Sequence, residues 1–117
     1  METKKFMELN GKPIFMYVHK TGNWIPIKPV CNALGINYWS ELRKIKGNEI
    51  YGWPYSVIDA KFNGKIQPLY SLPEKLVYGW LFGLKCKNKS LFSFKRECHE
   101  ILFEKLNGSI IISHPDF

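Results

Sequence analysis

The chain of 117 residues lacks the segments that would place a protein in or across a membrane. No apolar run approaches the roughly 18 residues that a membrane-spanning helix needs. The first ten residues, METKKFMELN, contain no apolar stretch of the kind found in a secretory signal. We therefore expect a cytoplasmic protein that has no membrane partner.

Cysteine is scarce, and its spacing argues against a cross-linked or metal-bound framework. The chain has three cysteines, Cys31, Cys86 and Cys98, and no C-x-x-C pair. An odd count with wide spacing favours reduced thiols over disulfides or a zinc site. Cys98 shares a helical register with Leu91, Phe94 and Leu102, which predicts a small buried side chain rather than a nucleophile.

Catalytic motifs are missing as well. The three histidines, His19, His99 and His114, are scattered, and the sequence contains no H-E-x-x-H motif, phosphate loop or dinucleotide fingerprint. Cys98 and His99 are neighbours in sequence, but adjacent residues of a helix diverge by about 100°. The sequence predicts a protein that is not an enzyme and that needs no cofactor or metal.

Basic residues are in excess. Seventeen Lys and Arg against ten Asp and Glu give a net charge of +7, which favours polyanionic partners. The charge alone is equally consistent with nucleic-acid contact and with a solvated surface that is simply rich in lysine; together with the helix pair and the resemblance described below, it makes DNA the expected partner.

Turn signals divide the first part of the chain and its middle into strands. Asn-Gly pairs at positions 10–11 and 63–64 favour two-residue hairpin turns, because both residues tolerate positive φ. Pro68 in the returning strand of the second hairpin predicts an edge strand or a bulge. The strands are expected at Lys4–Leu9, Pro13–His19, Trp24–Ile27, Ser56–Phe62 and Lys65–Ser71.

Proline, asparagine and glycine mark the ends of four helices. These are expected at Pro29–Leu34, Tyr38–Lys46, Pro73 to about Leu84, and Ser90–Leu106. The predicted fold is an α+β domain. It has a small antiparallel sheet of hairpins, two short helices after the first meander, and two longer helices at the carboxy-terminal end. We expect one domain over residues 1–108. Residues 109–117 would then be a frayed tail or a short strand through Ile110, Ile111 and Ile112.

The two short helices resemble a helix-turn-helix in their spacing, with the second helix able to enter the major groove. The alternative is a helical pair that only covers the sheet. Three residues of the helix pair are of types that can read bases: Asn37, Ser40 and Arg43. Three lysines are suited to phosphate contacts: Lys28, Lys44 and Lys46. A basic connector adds a second candidate phosphate surface formed by Lys85, Lys87 and Lys89, with Lys95 and Arg96 following.

Aromatic residues suggest protein contacts instead. Tyr38, Trp53 and Tyr55 are candidate anchors for a partner protein, since Trp and Tyr dominate interface energetics. The helix from Pro73 to Leu84 is apolar on almost every face, with Gly79 and Gly83 four residues apart. We expect most of it to be core, packed closely at the glycines. The alternative is a face for self-association, so a homo-oligomer remains open.

Three blocks of sequence, in this order, resemble the phage antirepressor amino-terminal domain, a relative of the Bro-N domain. The blocks are Ile25–Asn37 (IPIKPVCNALGIN), Tyr78–Leu84 (YGWLFGL) and Phe94–Leu102 (FKRECHEIL). The resemblance spans roughly residues 5–107. It implies that four residues have structural roles: Trp80, Leu81, Arg96 and Cys98. Together they would form a buried aromatic anchor and the face against which that anchor packs.

The resemblance also implies a function in prophage regulation. Bro-N relatives are associated with DNA binding, whereas the best-known phage members capture a repressor protein. We therefore expect a transcriptional regulator of the antirepressor type that binds DNA through the helix pair and the basic surface. The alternative is an interaction module that captures and inactivates a phage repressor.

Overall fold

Five antiparallel strands form one sheet in the computed structural model, which describes the backbone of residues 2–52 and 54–113 and the side chains as far as residue 106. The spatial order of the strands is β1-β2-β3-β5-β4. Their bounds are β1 Glu2–Leu9, β2 Lys12–His19, β3 Gly22–Pro26, β4 Ser56–Phe62 and β5 Lys65–Pro73. The predicted meander and second hairpin are confirmed.

Four helices complete the α+β fold, as the sequence predicted. They are α1 Ile27–Leu34, α2 Tyr38–Lys46, α3 Glu74–Gly83 and α4 Lys89–Ser113. The predicted bounds of α2 are matched at both ends. The predicted strand through residues 110–112 is wrong, because these residues continue α4. A glycine inside a helix costs only about 1 kcal/mol, so Asn107-Gly108 does not stop this one.

Both Asn-Gly turns adopt the left-handed conformation that the hairpins need. Asn10 and Gly11 have φ of 52° and 77°, and Asn63 and Gly64 have 52° and 79°. These positive values match a turn whose twist suits the two flanking strands. Pro68 lies in β5, an interior strand of the sheet, but β5 pairs with β3 only through Ser71–Pro73. At Pro68 the strand pairs with β4 alone, so the proline occupies a local edge, as expected.

The main core lies between the sheet and the helices. Its fully buried members include Ile25 and Leu72 from the sheet, Val30 from α1, Leu81 from α3 and Leu91 from α4. Burying a side chain of this size stabilises a fold by about 1.5–3 kcal/mol. The core therefore fixes α1 and α3 on the sheet and holds α4 by its first turn.

Helix α3 is only partly core. Val77, Trp80 and Leu81 are buried, whereas Tyr78 and Phe82 are 42% and 36% exposed. The expectation of a mostly buried helix holds for one face alone.

The glycines and the third sequence block also differ in part from expectation. A Cβ atom at Gly79 would lie 3.4 Å from the Tyr51 hydroxyl, but one at Gly83 would meet nothing within 4 Å. The first distance is an ordinary van der Waals contact and the second position is open, so the expectation of close packing at the two glycines is wrong. Arg96 is exposed and Cys98 is half-buried, so the implied buried roles hold for Trp80 and Leu81 but not for Arg96.

None of the described helices is long and apolar enough to cross a membrane.

Candidate nucleic-acid interface

A tight turn joins α1 to α2. Gly35 has φ of 70°, and the following Ile36 N–H donates to the Cys31 carbonyl oxygen at 3.0 Å. This left-handed glycine and its hydrogen bond are a standard end for a helix. Three residues, Gly35 to Asn37, separate two helices of eight and nine residues. The pair therefore has helix-turn-helix spacing, as the sequence predicted.

Asn37 caps the second helix. Its Oδ1 atom accepts a hydrogen bond from the Ser40 backbone N–H at 2.8 Å, which satisfies one of the unpaired amides at the helix start. The side chain was also predicted to read bases. The cap occupies its acceptor oxygen, so only the Nδ2 donor remains for a base edge.

Helix α2 turns its basic face outward. Leu42 and Ile45 are buried, while Arg43 and Lys44 are exposed. Lys44 Nζ lies 3.2 Å from Glu41 Oε2. The lysine side chain is 71% exposed and the carboxylate side chain only 14%, so solvent screens the pair from the lysine side and its contribution is about 1 kcal/mol. The guanidinium of Arg43 has no hydrogen bond or ion pair with any described residue. Arg43 and Lys44 therefore lie on the solvent-facing side of α2.

Lys46 and Lys28 lie instead over aromatic rings. Lys46 Nζ is 4.2 Å from the centre of the Tyr70 ring and 5.9 Å from that of Tyr55. Lys28 Nζ is 5.7 Å from the centre of Tyr38 and 5.4 Å from that of Phe62. A cation over a ring face is attracted by about 0.5–1 kcal/mol at an exposed site. We call these six residues the lysine–aromatic cluster: Lys28, Tyr38, Lys46, Tyr55, Phe62 and Tyr70.

The cluster changes what its members can do. Lys28 and Lys46 already have partners within the chain, so a phosphate would compete with those rings. Burial, followed by the nearby Tyr70, raises the pKa of Tyr38. Tyr38 and Tyr55 are half-buried and pack against the core, which corrects the expectation of free aromatic anchors. The third predicted anchor, Trp53, lies outside the described residues.

An exposed tryptophan on α2 was missed. Trp39 is 65% exposed, and its ring centre lies 5.0 Å from that of Tyr38. In the sequence Trp39 directly follows Tyr38, which packs against the core. Because residues three or four apart share a helix face, its spacing to Arg43 was the available sign that it points outward.

The two predicted basic surfaces meet at one cleft. Lys44 of α2 and Lys85 of the connector both line a cleft of about 350 Å³, together with the acidic Glu41 and with Asn48, Tyr51 and Trp80. Lys87 and Lys89 are exposed outside it. Lys95 donates to the Leu84 carbonyl oxygen at 2.5 Å and so closes the end of α3. The fold thus joins Lys44 to Lys85 but assigns Lys95 a structural contact.

The thiols of Cys31 and Cys98 are held in the protonated form by burial. Burial raises the pKa of Cys31 from 9.0 to about 12, and it also raises the pKa of Cys98. His99 packs edge-on against Phe82, with ring centres 5.0 Å apart. Among the described residues, no three His, Cys, Asp or Glu side chains gather as a metal site would require.

The described part of the chain is thus a small α+β module with an exposed helix pair and a basic cleft. Its sequence matches the family model for the P22_AR N-terminal domain over residues 5–110. The chain therefore belongs to this family of phage antirepressor amino-terminal domains. Membership makes it an antirepressor-type regulator, and this family is typically regulatory rather than enzymatic. No curated protein and no solved structure matches the chain.

Proposed function

We propose that this domain regulates phage gene expression by binding DNA through α2 and the basic cleft, acting by binding rather than by catalysis. The exposed pair Arg43 and Lys44, on a helix held by a tight turn, is the observation that carries the proposal. In this account the protein works in the cytoplasm, where phage DNA is transcribed.

Arg43 is the residue that we assign to base reading. A guanidinium donates two parallel hydrogen bonds to the O6 and N7 atoms of guanine, and a good bidentate pair gives about 1–3 kcal/mol of discrimination. Arg43 lies in the second turn of α2 and has no partner within the described residues. It can therefore turn to a base edge without first breaking an ion pair.

Lys44 and Lys85 are assigned to phosphates. They line the same cleft although they belong to α2 and to the connector. Lysine is a point charge that contacts phosphate without reading sequence. Lys87 and Lys89 extend this positive surface along the connector, so the backbone of a duplex would lie beside α2.

The test is fluorescence anisotropy with a labelled duplex, titrated from about 50 to 300 mM salt. The wild-type chain should bind with an affinity that falls log-linearly with salt, because bound lysines release counterions. Once a preferred site is selected, Arg43→Ala should weaken binding to that site and leave non-specific binding nearly unchanged. Lys44→Ala should weaken binding to all sequences and reduce the salt slope by about one.

Lys20→Ala is the matched control. Lys20 is exposed in the turn between β2 and β3, outside both basic surfaces, and its loss changes the net charge by the same amount. The control should bind nearly as well as the wild type. Equal losses in Lys20→Ala and Lys44→Ala would show that net charge alone attracts DNA. No binding at 50 mM salt would reject the proposal.

Repressor capture is the second candidate function, and Trp39 is the observation that favours it. A tryptophan that is 65% exposed on the outer face of a helix is the residue type that most often dominates a protein interface. In this account α2 inserts Trp39 into a hydrophobic site of a phage repressor and displaces it from its operator.

Salt separates the two functions. A repressor complex held by Trp39 should survive purification at about 500 mM salt, where phosphate contacts are largely screened. Trp39→Ala should abolish that complex, and Arg43→Ala should leave it intact. A complex that dissociates with salt, or that tolerates Trp39→Ala, would argue against this function.

A further inference from the structure

The β4–β5 hairpin extends beyond the strand that links it to the rest of the sheet. β5 pairs with β3 only at residues 71–73, whereas it pairs with β4 along residues 65–71. The two strands are joined at Asn63-Gly64, where both residues have positive φ, so the turn is tight. Close to the turn, the Lys61 backbone N–H donates to the Tyr17 hydroxyl oxygen at 2.9 Å. The tip of the hairpin therefore has a fixed place against β2.

The lysine–aromatic cluster places this hairpin along one flank of α2. Lys46, at the end of α2, contacts Tyr70 of β5. Lys28 Nζ lies 5.7 Å from the ring centre of Tyr38, at the start of α2, and 5.4 Å from that of Phe62, which precedes the turn. The hairpin therefore accompanies α2 along its length. Its tip lies towards the amino-terminal end of the helix, where a recognition helix contacts base edges.

The basic connector lies on the other flank of α2. Lys44 and Lys46 are two positions apart, so they point to different sides of the helix. Lys44 lines the cleft that also contains Lys85, whereas Lys46 faces the hairpin. When a helix enters the major groove, the two phosphate backbones of the duplex border that groove on either side. One flank of α2 thus carries the phosphate contacts already assigned, and the hairpin occupies the other flank.

The tip of the hairpin is basic. Lys61 and Lys65 stand on either side of the turn and are exposed, and neither ammonium group has a hydrogen bond or ion pair with a described residue. Asp59 is the one acidic residue in the sequence from Ser56 to Pro73. It is two residues from Lys61 and so on the same face of β4, but no ion pair joins them. Both ammonium groups are therefore available to phosphate oxygens.

We propose that the β4–β5 hairpin is a second DNA-contacting element, in which Lys61 and Lys65 bind the phosphate backbone on the flank of α2 opposite the connector. The inference rests on the proposed function, because the hairpin reaches this backbone when α2 occupies the major groove. Phosphate contacts fix the register and orientation of a protein on a duplex without reading its sequence. The connector and the hairpin then hold one strand each, and α2 is centred between them.

Hydroxyl-radical footprinting of the preferred duplex at saturating protein tests the proposal, because it locates the protected backbone on each strand. The wild type should protect backbone on both sides of the α2 site. The double variant Lys61→Ala/Lys65→Ala should lose protection on one side only, and Lys85→Ala should lose it on the other. Both hairpin side chains are exposed, so the double variant should fold, and circular dichroism checks this.

Affinity gives a second readout. In fluorescence anisotropy at about 100 mM salt, Lys61→Ala/Lys65→Ala should bind the duplex roughly 10-fold more weakly than the wild type, with a salt slope reduced by about two. Asp59→Asn should bind more tightly than the wild type, because it removes a charge that repels phosphate.

The matched control is Lys20→Ala/Lys75→Ala, which removes the same charge elsewhere. Both lysines are exposed. Lys75 follows Glu74, which accepts a hydrogen bond from Asn23 Nδ2 at 3.1 Å, so the two lysines lie near the β2–β3 turn. The control should keep the footprint on both sides and most of the affinity.

The outcomes separate this inference from the proposed function. Protection on both sides in Lys61→Ala/Lys65→Ala, or an equal loss of affinity in the control, would overturn the role of the hairpin and leave α2 as the DNA-binding element. Loss of protection on the same side as in Lys85→Ala would overturn the placement of the hairpin on the opposite flank. A wild type that binds no duplex would overturn the proposed function and this inference together.

Discussion

Lys46 contacts Tyr70 in two ways at once. Its Nζ atom lies 4.2 Å from the ring centre and donates to the phenolic oxygen at 3.1 Å. Because these residues belong to α2 and β5, the contact ties the helix pair to the second hairpin. The contact holds the carboxy-terminal end of α2 on the sheet, whereas Asn37 caps the amino-terminal end.

This contact gives the first prediction. Tyr70→Phe keeps the ring and removes only the hydrogen bond, so it should lower the free energy of unfolding by about 0.5–1 kcal/mol. Tyr70→Ala should cost more, because the ring is also lost. Urea denaturation measures both. Equal free energies of unfolding for the wild type, Tyr70→Phe and Tyr70→Ala would show that the contact does not stabilise the fold.

Asn37 is predicted to act through its cap more than through DNA. Asn37→Ala should lower the free energy of unfolding by about 1 kcal/mol, and Asn37→Ser should restore most of it because serine is an equally good cap. Thermal unfolding measures the two variants. DNA affinity then separates the roles, since Asn37→Ser lacks the amide. Loss of sequence-specific binding in Asn37→Ser at normal stability would show that the Nδ2 donor reads a base.

Gly35 is predicted to be required for its backbone conformation alone. A Cβ atom there would meet nothing within 4 Å, but φ is 70°, so Gly35→Ala should destabilise the protein by about 1–2 kcal/mol. Gly83→Ala is the matched control, because that position is equally open and lies in a helix without positive φ. It should be neutral or stabilising by up to about 1 kcal/mol. Equal effects of the two substitutions on the urea midpoint would contradict this account.

The buried thiol of Cys31 predicts a loss of stability in alkali. Its pKa in the folded protein is about 12, against 9.0 ordinarily, so the folded state holds the proton more tightly than the unfolded chain. Its contribution is therefore complete below pH 9 and is lost as pH rises towards 12. At about 1.4 kcal/mol per tenfold change in proton affinity, the full loss is on the order of 4 kcal/mol as an upper bound.

Cys31→Ala isolates this effect from other groups. Burial also raises the pKa of Tyr38 and Tyr78. The free energy of unfolding therefore also falls as these tyrosines ionise at higher pH. The variant should therefore keep part of the alkaline slope but fall less steeply than the wild type between pH 9 and 11. Below pH 8 the free energies of unfolding of Cys31→Ala and of the wild type should change with pH in parallel. Identical slopes above pH 9 would mean that the thiol does not contribute.

Local rules explain why much of the fold could be predicted. Each Asn-Gly pair specifies its own hairpin through positive φ, and Asn37 with Gly47 delimits α2 through capping. These signals act over a few residues and need no knowledge of the rest of the chain. The end of α4 was missed, because a glycine signal is weak enough for a continuing helix to override.

The site depends on contacts that local rules do not contain. Tyr38 and Trp39 are adjacent residues, and although the spacing of Trp39 to Arg43 indicates its direction, the docking of α2 decides how far each is buried. Lys46 lies over Tyr70 because a helix packs beside a distant strand. Lys44 and Lys85 likewise meet only in the folded chain. Spacing therefore predicted the candidate residues but not which of them remain available to a ligand.

An NMR titration of the uniformly ¹⁵N-labelled chain with its preferred DNA duplex tests the central claim most directly. We predict that the largest amide shift changes fall in Asn37–Lys46 and in the connector around Lys85, with little change in the β1–β2 hairpin or in α4. Changes concentrated away from α2, or none at a concentration where anisotropy shows binding, would contradict the proposal that this helix is the DNA-binding element.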